Sequence, residues 1–157
     1  RKTMPEIPQE ALDLVKMFEG LRLSAYLCSA GKWTIGYGHT QGVAQGQTIT
    51  KEQAEAFLMD DLTRAAQPIE QCVTVPVSRR QFAALVSFTF NVGAGIFKRS
   101  TLLKQLNQGL YDHVPAQLAR WNKSKGKVLD GLSRRRAAEA ALWKKGSTTQ
   151  QKGERTT

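Results

Sequence analysis

The sequence predicts an α+β fold that is mainly α-helical, with a small antiparallel β-sheet lobe and a larger helical lobe joined by a long helix. Two observations support this prediction. Residues 20–50 are rich in glycine, aromatic and β-branched residues, which is typical of short strands and tight turns. Residues 51–71 and much of the later chain instead show apolar residues at helical spacing. Because 157 residues are about one domain in size, we expect a single domain over 1–146, with the helical lobe at 72–146 and a disordered polar tail at 147–157.

The first predicted helix covers residues 10–19. Its apolar side chains follow the i, i+3, i+4, i+7 spacing of an amphipathic helix, and Gly20 is placed to end it. Glu19 therefore falls at the carbonyl end of a helix, where the helix dipole opposes ionisation of a carboxyl group. We expect a raised pKa for Glu19, which would keep a proton available near neutral pH. Taken alone, a glutamate at this position is also typical of an ordinary surface residue.

Two capping boxes mark the starts of the longest helices. Residues 50–53 open the connecting helix, and residues 78–81 open a helix that is apolar nearly all round as far as Phe90. The second helix is therefore predicted to be the buried centre of the helical lobe, with Gly93 and Gly95 ending it. Three shorter helices are expected at 100–108, 111–121 and 133–145.

The chain is strongly basic, with 23 Lys and Arg residues against 13 Asp and Glu residues and a formal net charge of +10. This excess calls for an anionic partner such as nucleic acid, anionic lipid or the bacterial cell wall. Nucleic acid is disfavoured, because the sequence contains no recognisable nucleic-acid-binding motif. The sequence contains no run of about 18 apolar residues, the length needed to span a membrane. A membrane tether in a segment before Arg1 is nevertheless compatible with the sequence.

The cysteines and histidines predict no metal site and no cofactor. Cys28 and Cys72 are too few for a disulfide framework and too far apart for a metal-ligand pair. His39 and His113 fit no metal-ligand spacing either. From composition alone the two cysteines could form one bridge in an oxidising compartment or both be free.

Several separated motifs, in order along the chain, resemble the phage-type lysozymes. These are Phe-Glu-Gly-Leu-Arg-Leu at 18–23, Thr-Ile-Gly-Tyr-Gly-His-Thr at 34–40, Phe-Thr-Phe-Asn-Val-Gly at 88–93 and Gly-Leu-Ser-Arg-Arg-Arg at 131–136. In that family a Glu is followed after eight residues by Asp, or by Cys in some endolysins, and after five more by Thr. Glu19, Cys28 and Thr34 match this spacing. The resemblance implies a lysozyme-like two-lobe fold with a cleft between the lobes.

The resemblance also implies an endolysin that hydrolyses the β-1,4 bond between N-acetylmuramic acid and N-acetylglucosamine in peptidoglycan. Such an enzyme would be a monomer acting in the periplasm or cell wall of the host bacterium, after export or release from the cytoplasmic membrane. Glycosidic hydrolysis needs a protonated acid beside the leaving oxygen and a second group on the far face of the sugar. The resemblance assigns the first role to Glu19 and the second to Cys28 with Thr34.

Cys28 stands where a carboxylate is usual, and a thiol with an ordinary pKa of about 8.5 is mostly neutral at pH 7. Three catalytic roles stay open: a thiolate with a lowered pKa, a neutral thiol that positions water together with Thr34, and a covalent nucleophile. The last is ranked lowest, because the resemblance implies inversion through an activated water. The alternative without a catalytic role is a buried structural cysteine.

Further residues are assigned by the resemblance. His39 is expected to pair with Asp61 on the connecting helix as a structural contact. Phe90 and Asn91 match positions that line the family's cleft, where an amide could bond a sugar N-acetyl group.

One arginine of the run 134–136 matches a family arginine near the catalytic Glu. Arg134 is the expected residue, and the other two are expected to be surface charge. In some family endolysins the catalytic cysteine is held inactive in a disulfide. Here the only candidate partner, Cys72, is expected to lie far from the cleft at the end of the connecting helix, so both thiols are predicted to be free.

Two other hypotheses compete with a hydrolase. One is a catalytically impaired peptidoglycan-binding or regulatory module of the same fold, motivated by Cys28. The other is a nucleic-acid binder, motivated by charge alone. Loss of turbidity of a wall suspension separates the hydrolase from the binding module, and salt-dependent retention of DNA tests the third hypothesis.

Overall fold

The computed structural model describes residues 6–148 and 151. Its first element is helix α1 (Gln9–Glu19). Ala11, Leu14 and Val15 form its buried face, as their spacing predicted. The helix ends at Gly20, whose φ of 71° is readily adopted only by glycine and whose N–H donates to the Lys16 carbonyl. The predicted position of Glu19 at the carbonyl end of this helix is confirmed.

The small lobe is an antiparallel pair formed by β1 (Arg22–Leu27) and β2 (Trp33–Gly36). Tyr26 is paired with Thr34, and the register shifts by a bulge between Arg22 and Tyr26. The sheet lies against the next helix at Gly36, where an added Cβ would meet the Ala54 Cβ at 3.3 Å. This close approach fixes the small lobe on the connecting helix.

The connecting helix α2 (Lys51–Cys72) opens with the predicted capping box, in which the Thr50 hydroxyl accepts from the Gln53 N–H. Its 22 residues span about 33 Å at 1.5 Å per residue. Its buried side chains, from Ala54 to Ile69, face the core that also holds α1 and the later helices. The small lobe packs at one end of α2 and the helical lobe at the other.

Helix α3 (Arg79–Val92) is the centre of the helical lobe, as its apolar sequence predicted. Residues 83–89 are all buried, and α3 contacts α1, α2 and the last helix. Its amino end is capped by Ser78. Gly146, just after the last helix, packs against the Ser78 hydroxyl so closely that no Cβ would fit there.

The chain after α3 differs from the prediction. Gly93, with φ 102°, ends α3 as expected, but it also begins a short helix α4 (Ala94–Arg99) that contains Gly95. Helix α5 (Thr101–Asn107) follows as predicted. The expected helix at 111–121 is instead a 3₁₀ turn over 111–113 followed by α6 (Val114–Ala119), because Pro115 supplies no N–H and is suited to the first turn of a new helix.

A lysine-rich hairpin and the last helix complete the described chain. Strands β3 (Lys123–Ser124) and β4 (Lys127–Val128) were not predicted, and Lys125 and Gly126 between them have positive φ. Helix α7 (Asp130–Lys145) begins three residues before the predicted start. The tail predicted to be disordered lies mostly outside the described residues, although Gln151 exchanges hydrogen bonds with the buried Gln81.

Candidate active site

The Glu19 carboxyl group emerges from the end of α1 between the two lobes. Its Oε2 accepts a hydrogen bond from Arg135 Nη1 at 2.8 Å, and 22% of the Glu19 side chain remains accessible to solvent. The other oxygen lies against the backbone of Gly38, where an added Cβ would stand 2.6 Å from Glu19 Oε1. One carboxyl oxygen of Glu19 is therefore paired with the Arg135 guanidinium. The other oxygen has room because Gly38 has no side chain.

The arginine that meets Glu19 is Arg135, so the assignment of Arg134 is wrong. Arg134 is exposed and lines a separate groove, whereas Arg135 and Arg136 are buried, which also corrects their expected place on the surface. Successive residues of a helix point about 100° apart, so only one member of a run of three can face a given partner. The residue that does so depends on how α7 is rotated, which the run itself does not reveal.

A buried charge cluster lies behind Arg135 and consists of Arg135, Arg136, Glu139 and Ser87. Glu139 Oε2 accepts from the Ser87 hydroxyl at 2.6 Å and from Arg136 Nη2 at 3.0 Å. Arg135 Nε lies 3.6 Å from the same oxygen. Burial raises the pKa of Glu139 and lowers that of Arg136, while their attraction opposes both shifts.

The Cys28 thiol lies in the turn between β1 and β2, next to Thr34. The backbone N–H of Lys32, the Thr34 hydroxyl and the backbone N–H of Ala30, in that order, stabilise the thiolate and lower the pKa of Cys28 below its usual value. The Thr34 hydroxyl donates to the Lys32 carbonyl at 3.0 Å. A hydroxyl has a single proton, so that carbonyl competes with the Cys28 thiolate for it. Cys28 is partly exposed and Thr34 is buried, which argues against a merely buried structural cysteine.

Tyr26 is a site residue that the sequence analysis missed. Desolvation raises the pKa of its phenol, and the nearby Glu19 and Cys28 raise it further. Arg22 lies over its ring at 4.2 Å from the ring centre. Tyr26 is therefore coupled electrostatically to both Glu19 and Cys28. The sequence carried no signal for this coupling, because it depends on the pairing of Tyr26 with Thr34 in the sheet.

A cavity of about 480 Å³ opens beside Glu19 and joins both lobes. Phe90 and Asn91, predicted to line the cleft, are among its walls together with Lys32 and Arg64. Cys28 and Thr34 do not line this cavity directly. Its remaining walls come from residues of the small lobe, α2, α3 and the start of α4: Gly38, Thr40, Gln41, Asp61, Ala65, Thr89, Gly93 and Ala94.

His39 and Asp61 are brought together as the sequence predicted. His39 Nδ1 lies 2.8 Å from Asp61 Oδ2, and the His39 ring stacks on Phe57 with ring centres 4.3 Å apart. The second oxygen of Asp61 accepts from Arg64 at 2.6 Å. These contacts connect the loop after β2 to α2 and hold the backbone of Gly38 beside Glu19.

Three further observations concern the described part of the chain. Cys28 and Cys72 are both free thiols. Within residues 6–148 and 151, no group of three or more His, Cys, Asp or Glu side chains is arranged to hold a metal ion. Over the same residues, no helix is long and apolar enough to cross a membrane.

Comparison with known proteins identifies the family. Residues 16–139 match the phage lysozyme family. The chain is 46% identical over 141 residues to an endolysin of Acyrthosiphon pisum secondary endosymbiont phage 1, covering 87% of this chain and 97% of that endolysin. It is 39% identical over 130 residues to a SAR-endolysin of Bacteriophage PS119, covering 81% and 78% of the two chains.

A solved structure supports the same assignment. The muramidase domain of SpmX from Asticaccaulis excentricus superposes with a TM-score of 0.82 and 37% identity, covering 88% of this chain and 97% of that domain. This likeness confirms the mainly helical fold with small antiparallel sheets. The chain therefore belongs to the phage lysozyme family and is a muramidase-type hydrolase.

Proposed function

We propose that this protein is an endolysin that hydrolyses the β-1,4 bond between N-acetylmuramic acid and N-acetylglucosamine in peptidoglycan and so lyses the host bacterium. Glu19 acts as the general acid, and Cys28 with Thr34 activates or positions the attacking water. The observation that carries the proposal is the placement of Glu19 beside a cleft cavity, with a thiol of lowered pKa on the neighbouring turn.

The acid step is assigned to Glu19 because its carboxyl group reaches the cavity from a rigid helix end. A general acid has to lie within hydrogen-bonding reach of the leaving oxygen. Arg135 restrains one carboxyl oxygen, and the absence of a side chain at Gly38 keeps space around the other. The carboxyl Oε1 is then the atom that delivers the proton to the glycosidic oxygen.

The water step is assigned to Cys28 and Thr34. In an inverting mechanism a base on the far face of the sugar removes a proton from water as the water attacks the anomeric carbon. Backbone N–H groups and the Thr34 hydroxyl favour the thiolate of Cys28, and a thiolate can accept that proton where a neutral thiol cannot. The Thr34 hydroxyl can hold the same water in line.

The cavity walls suit an N-acetylated glycan. Phe90 offers an apolar ring edge, and Asn91 offers an amide that can bond the N-acetyl group of a sugar. Lys32 and Arg64 add positive charge at the rim, which complements the carboxylates of the wall. His39 and Asp61 have a structural role in holding this wall of the cleft.

The setting of the reaction is also part of the proposal. The enzyme acts as a monomer on the host wall, in the periplasm or at the wall itself. Its similarity to endolysins and to a SAR-endolysin supports action on the host wall, after export or release from the cytoplasmic membrane.

The decisive experiment measures the loss of turbidity of a wall suspension with the parent protein and three variants. Glu19→Gln is expected to be inactive, since an amide cannot donate the proton. Cys28→Asp is expected to retain activity, because a carboxylate can accept the proton from water. Cys28→Ser is expected to lose most activity, since a hydroxyl is a poor base near neutral pH.

Glu52→Gln is the matched control, because Glu52 is an exposed glutamate on α2 that lines no part of the cavity. Circular dichroism checks that every variant is folded. If the parent fails to lyse walls, or if Glu19→Gln lyses them as well as the parent does, the assignment of Glu19 fails. A folded parent that binds walls without lysing them would favour the impaired binding module instead.

A further inference from the structure

Helix α7 buries three formal charges behind the active site. The side chains of Arg135, Arg136 and Glu139 have accessible fractions of 4%, 1% and 0%. Burying charges is costly unless each is compensated nearby. Two arginines against one glutamate leave one positive charge in excess, and Glu19 is the carboxylate that meets it.

Arg135 is held loosely by its own hydrogen bonds. Only Nη1 is bonded, to Glu19, whereas Nε and Nη2 are buried and find no hydrogen-bond partner among the described residues. The remaining contacts are the Phe18 ring, 5.8 Å from the guanidinium carbon, and Glu139 Oε2, 3.6 Å from Nε. The carboxylate of Glu139 is therefore the main electrostatic restraint on the buried side of Arg135.

Glu139 is itself fixed from another helix. The Ser87 hydroxyl on α3 donates to Glu139 Oε2 at 2.6 Å, and Arg136 holds the carboxylate through Nη2. The contacts thus run from α3 through Ser87, Glu139 and Arg135 to Glu19 at the end of α1.

We propose that Glu139 is a positioning residue for the reaction, whose buried carboxylate holds Arg135 against Glu19 and cancels the charge of Arg136. This inference rests on the proposed role of Glu19 as the general acid. With Glu139 ionised, the two arginines carry one uncompensated positive charge towards Glu19. Without that negative charge they would carry two, and they would attract a negative charge at Glu19 more strongly.

The other charged and titratable groups around Glu19 lie on different elements and do not change in this argument. Tyr26 on β1 is coupled to it electrostatically, and Cys28 lies on the neighbouring turn. Lys32, Asp61 and Arg64 line the same cavity from the turn and α2. A change confined to Glu139 therefore isolates the contribution of α7.

The test compares the pH dependence of hydrolysis in the parent and in Glu139→Gln, using a soluble peptidoglycan fragment as substrate. Glu139→Gln removes the charge and nearly preserves the shape. We expect activity to fall roughly tenfold, because the partner of the catalytic carboxyl is no longer fixed. We also expect the alkaline limb of the pH profile to move down by about 0.5–1 pH unit, since the acid loses its proton more readily.

Two further variants separate positioning from mere stability. Glu139→Asp keeps the charge and should keep the alkaline limb of the parent. The double variant Arg136→Gln, Glu139→Gln removes one charge of each sign, and replacing a buried pair in this way is often tolerated by the fold. Its alkaline limb should return to that of the parent while its activity stays low. This variant therefore tests the positioning role of Glu139 even if Glu139→Gln does not fold.

A folded Glu139→Gln with the parent's activity and pH profile would overturn the proposal, as would a double variant with the parent's activity. A loss of melting temperature without any change of the alkaline limb would likewise reduce Glu139 to a structural residue. Glu19→Gln is run alongside. If Glu19→Gln is inactive while Glu139→Gln behaves as the parent does, only the positioning role fails, whereas an active Glu19→Gln removes the proposed function itself.

Discussion

Gly38 leaves the space that is occupied by the carboxyl group of Glu19, the proposed general acid. Its φ of 76° is costly for other residues, by roughly 1–2 kcal/mol, and a Cβ there would stand 2.6 Å from Glu19 Oε1. We expect Gly38→Ala to lose at least about tenfold in the rate of wall hydrolysis, because the carboxyl has to move away from its reacting position. Initial rates of turbidity loss, with thermal unfolding of the same samples, measure both effects.

Gly42→Ala is the matched control for this substitution. Gly42 has a similar φ of 70°, but an added Cβ there meets nothing within 4 Å. It should show the same backbone strain as a lower melting temperature and keep its activity. If both variants lose activity equally, backbone strain explains the loss and the contact with Glu19 does not.

Cys28 leads to a prediction about pH. Its pKa is lowered by hydrogen bonds to the thiolate, so the thiolate is present above that pKa and is lost as the pH falls through it. If the thiolate accepts the proton of water, hydrolysis by the parent falls along an acidic limb set by Cys28. In Cys28→Asp this limb should move to lower pH, because a carboxyl group ordinarily titrates near about 3.9.

The measurement is the rate on a soluble peptidoglycan fragment between about pH 4 and pH 9, which avoids changes in the charge of the wall. Identical acidic limbs in the parent and Cys28→Asp would show that Cys28 does not act as a base and would leave it the role of positioning water.

The positions of several candidate site residues could be predicted, because a helical pattern or the family resemblance places them. Glu19 follows an amphipathic pattern that ends at a glycine, and His39 and Asp61 meet as expected. The sequence could not show that Arg135 rather than Arg134 contacts Glu19, since a run of identical residues carries no signal for the rotation of its helix. The lowered pKa of Cys28 arises first from the backbone N–H of Lys32, then from the Thr34 hydroxyl and the Ala30 N–H. The backbone donors leave no mark in a sequence, since every residue except proline has an N–H.

At the scale of elements, the capping box of α2 stabilises the start of the helix that joins the two lobes. The Thr50 hydroxyl accepts from the Gln53 N–H at 3.1 Å, and the Gln53 side chain accepts from the Thr50 N–H at 2.9 Å. Thr50→Ala should lower the free energy of unfolding by about 1 kcal/mol, with activity unchanged well below the melting temperature. Urea unfolding measures the change.

Thr63→Ala in the same helix is the control. Thr63 donates to the Met59 carbonyl within the helix and caps no terminus, and alanine is the better helix former at an interior position. This variant should be neutral or slightly more stable. A destabilisation equal to that of Thr50→Ala would show that the cap makes no particular contribution.

The elements that the sequence predicted well are those with long periodic patterns, α1, α2 and α3. Helix α4 was not predicted because Gly93 and Gly95 were both interpreted as the end of α3, although of the two only Gly93 has a positive φ. The hairpin of β3 and β4 was not predicted because its lysines have little preference for strands. It exists because the backbone conformations of Lys125 and Gly126 make a tight turn.

At the scale of the whole molecule, the net charge of +10 predicts how the enzyme finds its substrate. Raising the salt concentration from about 0.01 to 0.15 M shortens the screening length from about 30 Å to about 8 Å. Lysis of intact walls should slow markedly over this range, because attraction to an anionic surface is lost. Hydrolysis of a small soluble fragment should change little, and equal salt dependence on both substrates would contradict this view.

The two-lobe arrangement was predictable as a whole because composition changes sharply near residue 50, from glycine-punctuated strands to periodic helix. The contacts that close the site were not predictable from periodicity, since they join elements distant in sequence. The approach of Gly38 to Glu19 and the insertion of Arg135 depend on the packing of α1, the small lobe and α7 together.

The pairing of Glu19 with Arg135 has a consequence for folding. These residues are 116 positions apart, so the chain of 157 residues has to close a loop of about three-quarters of its length before the proposed general acid acquires its partner. Contacts of such sequence separation form late, since the entropy of closing the loop is lost before the contact contributes any stability. An intermediate in which α1 has not docked on α7 therefore has no assembled site. We therefore expect regain of activity during refolding to report the docking of α1 on α7.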